Sequence, residues 1–323
     1  MSYLDKLSQS SNCSVVSLIS DYIKAPKKYK TFYIKKKNGK GLREVAQPSP
    51  DVKNIQRSIV ETLLVDIPIH ACAKAYVENT SIYDNAEPHS KSEFILKVDF
   101  KDFFPSIRPQ DLVFFLKKNG VNLSAFELNI ISHYLFRRKK GEKKLRLCIG
   151  APSSPIISNI VMYDIDCNIC DYCEREGIPY TRYADDLTFS SNDLASLERV
   201  YTYISKIISE SKYPKLQIND RKTKFVGKGR SRRVTGVVIT NDGNLGVGRY
   251  LRKKIRAMLH LYSTGEIKKS HIPYLQGMLS HINNIEPEYI NKLLLKHGDA
   301  LFRQLGKDAA LVIAKMKRSR GNR

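Results

Sequence analysis

Two acidic clusters hold the residues best suited to chemistry. One is the stretch VDFKDFFPSI (98–107), which contains Asp99 and Asp102. The other is Tyr183-Ala184-Asp185-Asp186. Asp99 ends an apolar run, EFILKVDF (93–100), that reads as a partly buried strand. Asp185 and Asp186 fall in the tight turn between two short strands of IPYTRYADDLTFSS (178–191). If these strands are neighbours in one sheet, three carboxylates converge on one spot. Such a cluster repels itself and stays ionised in a cleft only with cations beside it. Hard oxygen ligands suit magnesium, which keeps waters and substrate phosphates in its shell. A pair of such ions about 4 Å apart can activate a hydroxyl and stabilise a leaving pyrophosphate. Paired Asp residues in a turn are common for conformational reasons alone, so the expectation rests on what the surrounding elements bring to Asp99.

Those elements read as a mixed α+β fold. Residues 3–24 suggest a short helical lead-in. TFYIKKKNGKGLREVAQP (31–48) alternates and turns at Asn38-Gly39, as a hairpin with a basic tip does. Residues 50–66 have helical spacing, with Ile55, Ile59 and Leu63 on one face. Helices are expected after Pro109 as far as Gly120, over 124–136, over 155–176 and over 194–211. RRVTGVVIT and NLGVG read as strands joined at Asn241-Asp242-Gly243, and 249–316 is helical and basic.

The chain carries 55 Lys and Arg against 32 Asp and Glu, a net charge of +23. That field attracts polyanions, chiefly nucleic acid. The excess is clustered: eight bases and no acid in 27–43, seven bases in 137–146, seven in 221–233 and seven from 301 onward. Four separated clusters between folded segments point to a long phosphate-lined track rather than a merely solubilising surface. No apolar run spans a membrane, and the N-terminus lacks the pattern of a signal peptide, so no membrane partner and a cytoplasmic location are expected. Of six cysteines, Cys167, Cys170 and Cys173 share a helical spacing. A metal site there lacks a fourth ligand at a fitting distance, and thiols packed as small hydrophobes are the alternative.

The motifs together resemble those of reverse transcriptases. Tyr183-Ala184-Asp185-Asp186 matches the active-site box, and Asp99 through Phe104 the first catalytic motif. Gly150-Ala151-Pro152-Ser153-Ser154-Pro155 resembles the template- and nucleotide-positioning motif, with Ile149 where many members have Gln. Leu216-Gln217-Ile218-Asn219 with Lys222-Thr223 resembles the next box, and Val234-Thr235-Gly236 lies where the primer grip is expected. Within that family, Asn85-Ala86-Glu87-Pro88-His89 and Val234-Thr235-Gly236 are similar to the N-A-x-x-H and V-T-G signatures of retron enzymes.

The resemblance implies a right-hand polymerase fold: a helical lead-in at 1–25, interleaved fingers and palm over 26–240, and an RNA-binding thumb over 241–323. It implies an RNA-directed DNA polymerase with two Mg2+ ions on Asp99, Asp185 and Asp186. Lys36, Arg43, Asp102, Phe104, Gly150 and Lys222 would meet the incoming nucleotide, with Lys35 and Lys37 equal candidates for the place of Lys36 and a solvated basic hairpin the alternative for Lys36 and Arg43. Arg43 would act as a fork on the triphosphate, Lys222 would approach the pyrophosphate, and Phe104 would close the floor under the sugar against a 2′-hydroxyl. Core packing is the alternative for Phe104, and a plain electrostatic contact the alternative for Lys222. Asn85, His89, Val234, Thr235 and Gly236 would contact RNA or brace the fold. The implied partners are a cognate noncoding RNA as template and primer, the DNA product, deoxynucleotides and an effector protein, in antiphage defence. A group II intron type of enzyme and a non-catalytic RNA-binding scaffold are the rival readings.

Overall fold

The computed structural model describes residues 2–36, 39 and 41–321. Its strands, in chain order, are β1 (Tyr29–Lys35), β2 (Leu42–Pro48), β3 (Phe94–Asp99), β4 (Arg137–Arg138), β5 (Leu145–Arg146), β6 (Tyr180–Tyr183), β7 (Asp186–Ser191), β8 (Lys224–Val226), β9 (Arg232–Val234), β10 (Val237–Ile239) and β11 (Leu245–Gly246). The chain packs as two compact units, 1–78 with 96–225, and 79–95 with 226–323.

The first unit is built on a four-stranded sheet of order β6-β7-β3-β8. β3 carries Ile95, Leu96 and Val98 with essentially no exposed surface. Burial on both faces explains why its sequence is a near-continuous apolar run rather than an alternating one. β6 and β7 form an antiparallel hairpin that pairs Tyr183 with Asp186 and leaves Ala184-Asp185 as its loop. The helix Leu194–Glu210 packs on β7 and buries Leu197, Val200, Ile204 and Ile208, while the helix Tyr163–Arg175 packs on β6. β1 and β2 pair antiparallel from Tyr29↔Pro48 to Lys35↔Leu42, as the alternating pattern requires. Asn38 of the expected turn lies outside the described residues, and Gly39 follows the left-handed backbone (φ 70°) that suits glycine.

Three local expectations are corrected. The helix over 50–66 is α-helical only across Pro50–Ile59, and Val60–Leu64 forms a π turn closed by Val65 N donating to Val60 O. The wider turn rotates the following residues, so Leu64 is buried in place of Leu63. The helix over 155–176 is two helices, Ser154–Val161 and Tyr163–Arg175, with no Pro or Gly at the join. RRVTGVVIT is not one strand but the hairpin β9–β10, turned at Thr235-Gly236. A β-branched residue gives no turn signal, and Thr235 takes an unusual positive φ of 46°.

The second unit centres on the sheet β11-β10-β9 and the helices Gly248–Ser263, Ile272–Asn283, Pro287–His297 and Asp299–Gly321. Its core joins Ala86 and Ile95 to Val234, Val237, Ile255, Leu259, Leu275 and Ile282. On the helix Gly248–Ser263, Arg249, Lys253, Arg256 and His260 recur at helical spacing and are all exposed, opposite the buried Ile255 and Leu259. Among the described residues no helix is long and apolar enough to cross a membrane.

Candidate active site and nucleotide pocket

The sheet order puts β3 beside β7, which brings the end carrying Asp99 to the loop carrying Asp185 and Asp186. Asp99 is 7% exposed. Its carboxylate accepts two hydrogen bonds of 2.8 Å from Lys222 Nζ and one of 3.2 Å from Asn219 Nδ2. Backbone bonds tie the two segments as well, Asn219 N to Asp99 O at 2.7 Å and Lys101 N to Gln217 O at 2.8 Å. Partial burial, and then the Asp99 carboxylate, push Asp185 above the ordinary carboxylate range. The protein around Asp186, with Asp185 and Asp99, pushes it up to about 6, although one side of the residue stays in water. Burial works against the Lys222 ammonium, but its bonds and charge contacts with Asp99 outweigh that and raise it.

The donor set fits a divalent cation. It consists of hard oxygen ligands whose mutual repulsion an ion would relieve. Among the described residues no three His, Cys, Asp or Glu side chains enclose an ion by themselves. Water and substrate phosphates would complete the shell, as is usual for magnesium.

Next to the carboxylates lies a pocket of about 660 Å³. Lys36, Arg43, Asp102, Phe104, Asp185, Asn219 and Lys222 all line it. Residues far apart in sequence thus share one polar cavity with basic groups on its walls. The hairpin β1–β2 supplies Lys36 and Arg43, and the short helix Phe103–Ser106 supplies Phe104. In this helix the two rings part: Phe103 is 3% exposed and stacks on Phe100, while Phe104 is half-buried and lines the pocket. Asp102 precedes that helix with a positive φ of 44°. Ile149, on the wall, donates nothing through its side chain, but its carbonyl accepts from Ala46 N at 2.8 Å.

Gly150 follows with φ 112°, and a Cβ there would stand 2.8 Å from Ala46 O and 2.9 Å from Val45 Cγ1. The close pass of the motif against β2 therefore needs glycine for both conformation and space. Gly150→Ala is expected to lose roughly 2–5 kcal/mol through strained backbone and overpacking together. Chemical denaturation checks this, and a variant as stable as the parent would show that the pass is looser than described.

Sequence reasoning missed two contributors. Glu44 lines the pocket and holds Arg137 at 2.5 Å and Lys139 at 3.1 Å, so its acid neutralises bases of the 137–146 cluster rather than opposing a substrate. Its place as the first acid after the acid-free basic run 27–43 was the available signal. Arg182 was also missed. It lies fully buried under the Ala184-Asp185 loop.

In the second unit Asn85 and His89 have no exposed surface. Asn85 Nδ2 donates to Thr235 Oγ1 at 3.3 Å, and Thr235 Oγ1 donates to Ile82 O at 3.4 Å. The two signature segments therefore meet each other, with Val234 buried beside them and Gly236 at φ 99° completing the turn. Cys167 and Cys170 are half-buried and Cys173 is buried on the helix Tyr163–Arg175.

Residues 34–239 match the family model described as reverse transcriptase (RNA-dependent DNA polymerase). The chain is 37% identical to the retron Ec83 reverse transcriptase of Escherichia coli over 86% of its own length and 90% of that protein's. It is 32% identical to the retron Ec86 reverse transcriptase of Escherichia coli, over 92% and 91%. To the retron Mx65 reverse transcriptase of Myxococcus xanthus it is 33% identical, over 82% of this chain and 63% of that one.

Proposed function

The chain belongs to the retron reverse transcriptases and is an RNA-directed DNA polymerase; from that premise we propose that it copies a cognate structured noncoding RNA into a branched RNA–DNA hybrid. The observation that carries the reading is the single pocket shared by Arg43, Asp102, Phe104, Asp185 and Lys222 beside Asp99. In this reading Asp99, Asp185 and Asp186 hold two magnesium ions, which when bound supply Lewis-acid activation of the primer hydroxyl and of the leaving pyrophosphate. Arg43 receives the triphosphate as a planar fork and Lys36 as a point charge. Asn219 fixes one oxygen of Asp99, so that its carboxylate faces the pocket in one orientation. Lys222 reaches Asp99 from the same wall and is free to turn to the phosphates once a cation replaces it there. The ring of Phe104 bounds the sugar.

The proposed layout is that of a right hand. The fingers and palm fall within 26–240, after the helical lead-in of 1–25, and the thumb covers 241–323. The exposed row Arg249, Lys253, Arg256 and His260 suits a phosphate backbone in the thumb, and Asn85, His89 and Val234–Gly236 brace the RNA-binding unit from inside. The enzyme works in the cytoplasm, priming from a 2′-hydroxyl of its own RNA, with an effector protein as partner in antiphage defence.

Co-expression with the neighbouring noncoding RNA tests the reading. Short DNA that resists RNase, remains joined to RNA until debranched and disappears with Asp185→Asn is the expected result. DNA synthesis on added primer–templates without any such hybrid would leave a polymerase and reject the retron product.

A further inference from the structure

Beneath the Ala184-Asp185 loop lies a polar network with no exposed surface, made of Arg182, Asp166 and Asn159 and bordered by the 8%-exposed Tyr180. A fully buried guanidinium is costly unless paired and hydrogen-bonded, and here each of its three nitrogens has an acceptor. Arg182 Nε and Nη2 form a fork on Asp166, with distances of 2.8 and 2.6 Å to its two oxygens. Tyr180 Oη donates to the same carboxylate at 2.8 Å. Arg182 Nη1 donates to Asn159 Oδ1 at 3.1 Å and to the backbone carbonyl of Ala184 at 3.2 Å. Asn159 Nδ2 in turn donates to Ala75 O at 2.9 Å. The backbone of Arg182 is pinned on both sides, its N–H to Cys72 O and its carbonyl by Lys74 N, each at 2.8 Å. Burial disfavours the charged guanidinium, and Asp166 more than compensates.

The bond to Ala184 is the informative one. Ala184 takes a positive φ of 58°, a conformation that side chains other than glycine's disfavour. Its carbonyl belongs to the peptide that leads directly into Asp185. Holding that carbonyl fixes the peptide plane, and with it the direction in which the Asp185 side chain leaves the loop. A salt bridge kept only for stability has no need of this contact, because a well-packed apolar pair of similar volume serves stability as well or better.

We infer that Arg182, locked by Asp166 and Asn159, is a positioning residue for polymerisation: its guanidinium holds the Ala184 carbonyl and thereby sets the geometry of Asp185 and Asp186. The inference rests on Asp185 acting in the reaction, so Asp185→Asn is run beside it on a generic RNA primer–template with the full chain. Two designs remove the contact in different ways. Arg182→Lys keeps the charge opposite Asp166 but cannot span Asp166, Asn159 and Ala184 O together. The combination Tyr180→Phe, Asp166→Leu and Arg182→Met replaces the network with apolar packing.

In both designs kcat is expected to fall at least tenfold, with KM for deoxynucleotide and primer–template within about twofold, while the divalent-cation concentration for half-maximal rate rises. Adding Ala184→Gly, which lets the loop adopt its φ without help, is expected to recover part of the lost kcat. A folded variant of either design with parental kcat and cation dependence overturns the inference. So does loss of fold in both, which would assign the network to folding alone. If Asp185→Asn itself polymerises normally, it is the site assignment that fails.

Discussion

Replacing Asp185 or Asp186 with Asn is expected to stop DNA synthesis, by on the order of a thousandfold or more, while RNA binding persists. The scale follows from what a bound cation supplies to a phosphoryl-transfer transition state, several kcal/mol, at a factor of ten for each 1.36 kcal/mol. A second readout comes from stability without divalent cation. Both carboxyls are raised above their ordinary range, first by their partly buried setting and then by neighbouring carboxylates. Their folded-state pKa therefore exceeds the unfolded value. The charged forms weigh against the fold as pH rises through the folded pKa, about 6 for Asp186. At neutral pH a neutral amide of the same shape relieves that repulsion, so the metal-free melting temperature of either Asn variant should rise. Added Mg2+ should stabilise the parent and not the variants. Asp99→Asn should behave differently, because Asp99 is paired with Lys222 and Asn219, and the amide loses the ion pair with Lys222 and one of the two acceptor oxygens. Parental synthesis by Asp185→Asn or Asp186→Asn would reject the metal-ligand assignment, and a fall in metal-free stability equal to that of Asp99→Asn would reject the repulsion argument.

The contrast among the three aspartates also shows which parts of the site a sequence can carry. Asp99, Asp185 and Asp186 were legible because each sits where a strand ends or turns, and strand ends announce themselves by an apolar run stopping at a polar residue. The pocket lining was legible through the resemblance of its motifs to those of reverse transcriptases: Arg43, Asp102, Phe104 and Lys222 reach one cavity from three segments. The support under the loop was not. Asn159 lies in an apolar helix where a single polar residue has no period to betray it, Asp166 is one acid among several on the next helix, beside Asp164 and Asp171, and their partner Arg182 passes for one more base in a basic chain. The retrospective signal is that Arg182 stands in a strand with Tyr180 and Thr181 buried around it, where an arginine has to be paired. The π turn at Val60–Leu64 and the hairpin turn at Thr235-Gly236 escaped for another reason. Neither carries a local signal, and tertiary contacts decide the second: Thr235 is held in its strained conformation by bonds to Asn85 and Ile82, segments about 150 residues away.

Phe104→Ala and Phe104→Val are expected to admit ribonucleotides far more readily, with discrimination against the 2′-hydroxyl falling on the order of 100-fold. The two rings of the Phe103-Phe104 pair divide their work. Phe103 is buried and stacked on Phe100 at a centroid distance of 5.7 Å, so it belongs to the core. Phe104 meets Phe103 edge-on at 5.5 Å and turns its remaining surface to the pocket that also holds Asp185 and Arg43. A ring in that place acts on the bound sugar through position. If Arg43 holds the triphosphate at one end and the carboxylates hold the reacting phosphate at the other, as proposed, a ribose cannot shift to avoid the ring. A displacement of about 1 Å at the reacting atoms is enough for a hundredfold loss of rate. Because Phe104 is only half-buried, truncation should destabilise the protein by less than the roughly 3–5 kcal/mol typical of a fully buried Phe. Melting temperature and ribonucleotide incorporation, measured on the same preparations, separate the two roles. A large fall in stability with parental sugar selectivity in the folded fraction would make Phe104 a second core ring like Phe103. A small fall with open selectivity would make it the wall against which the sugar is measured.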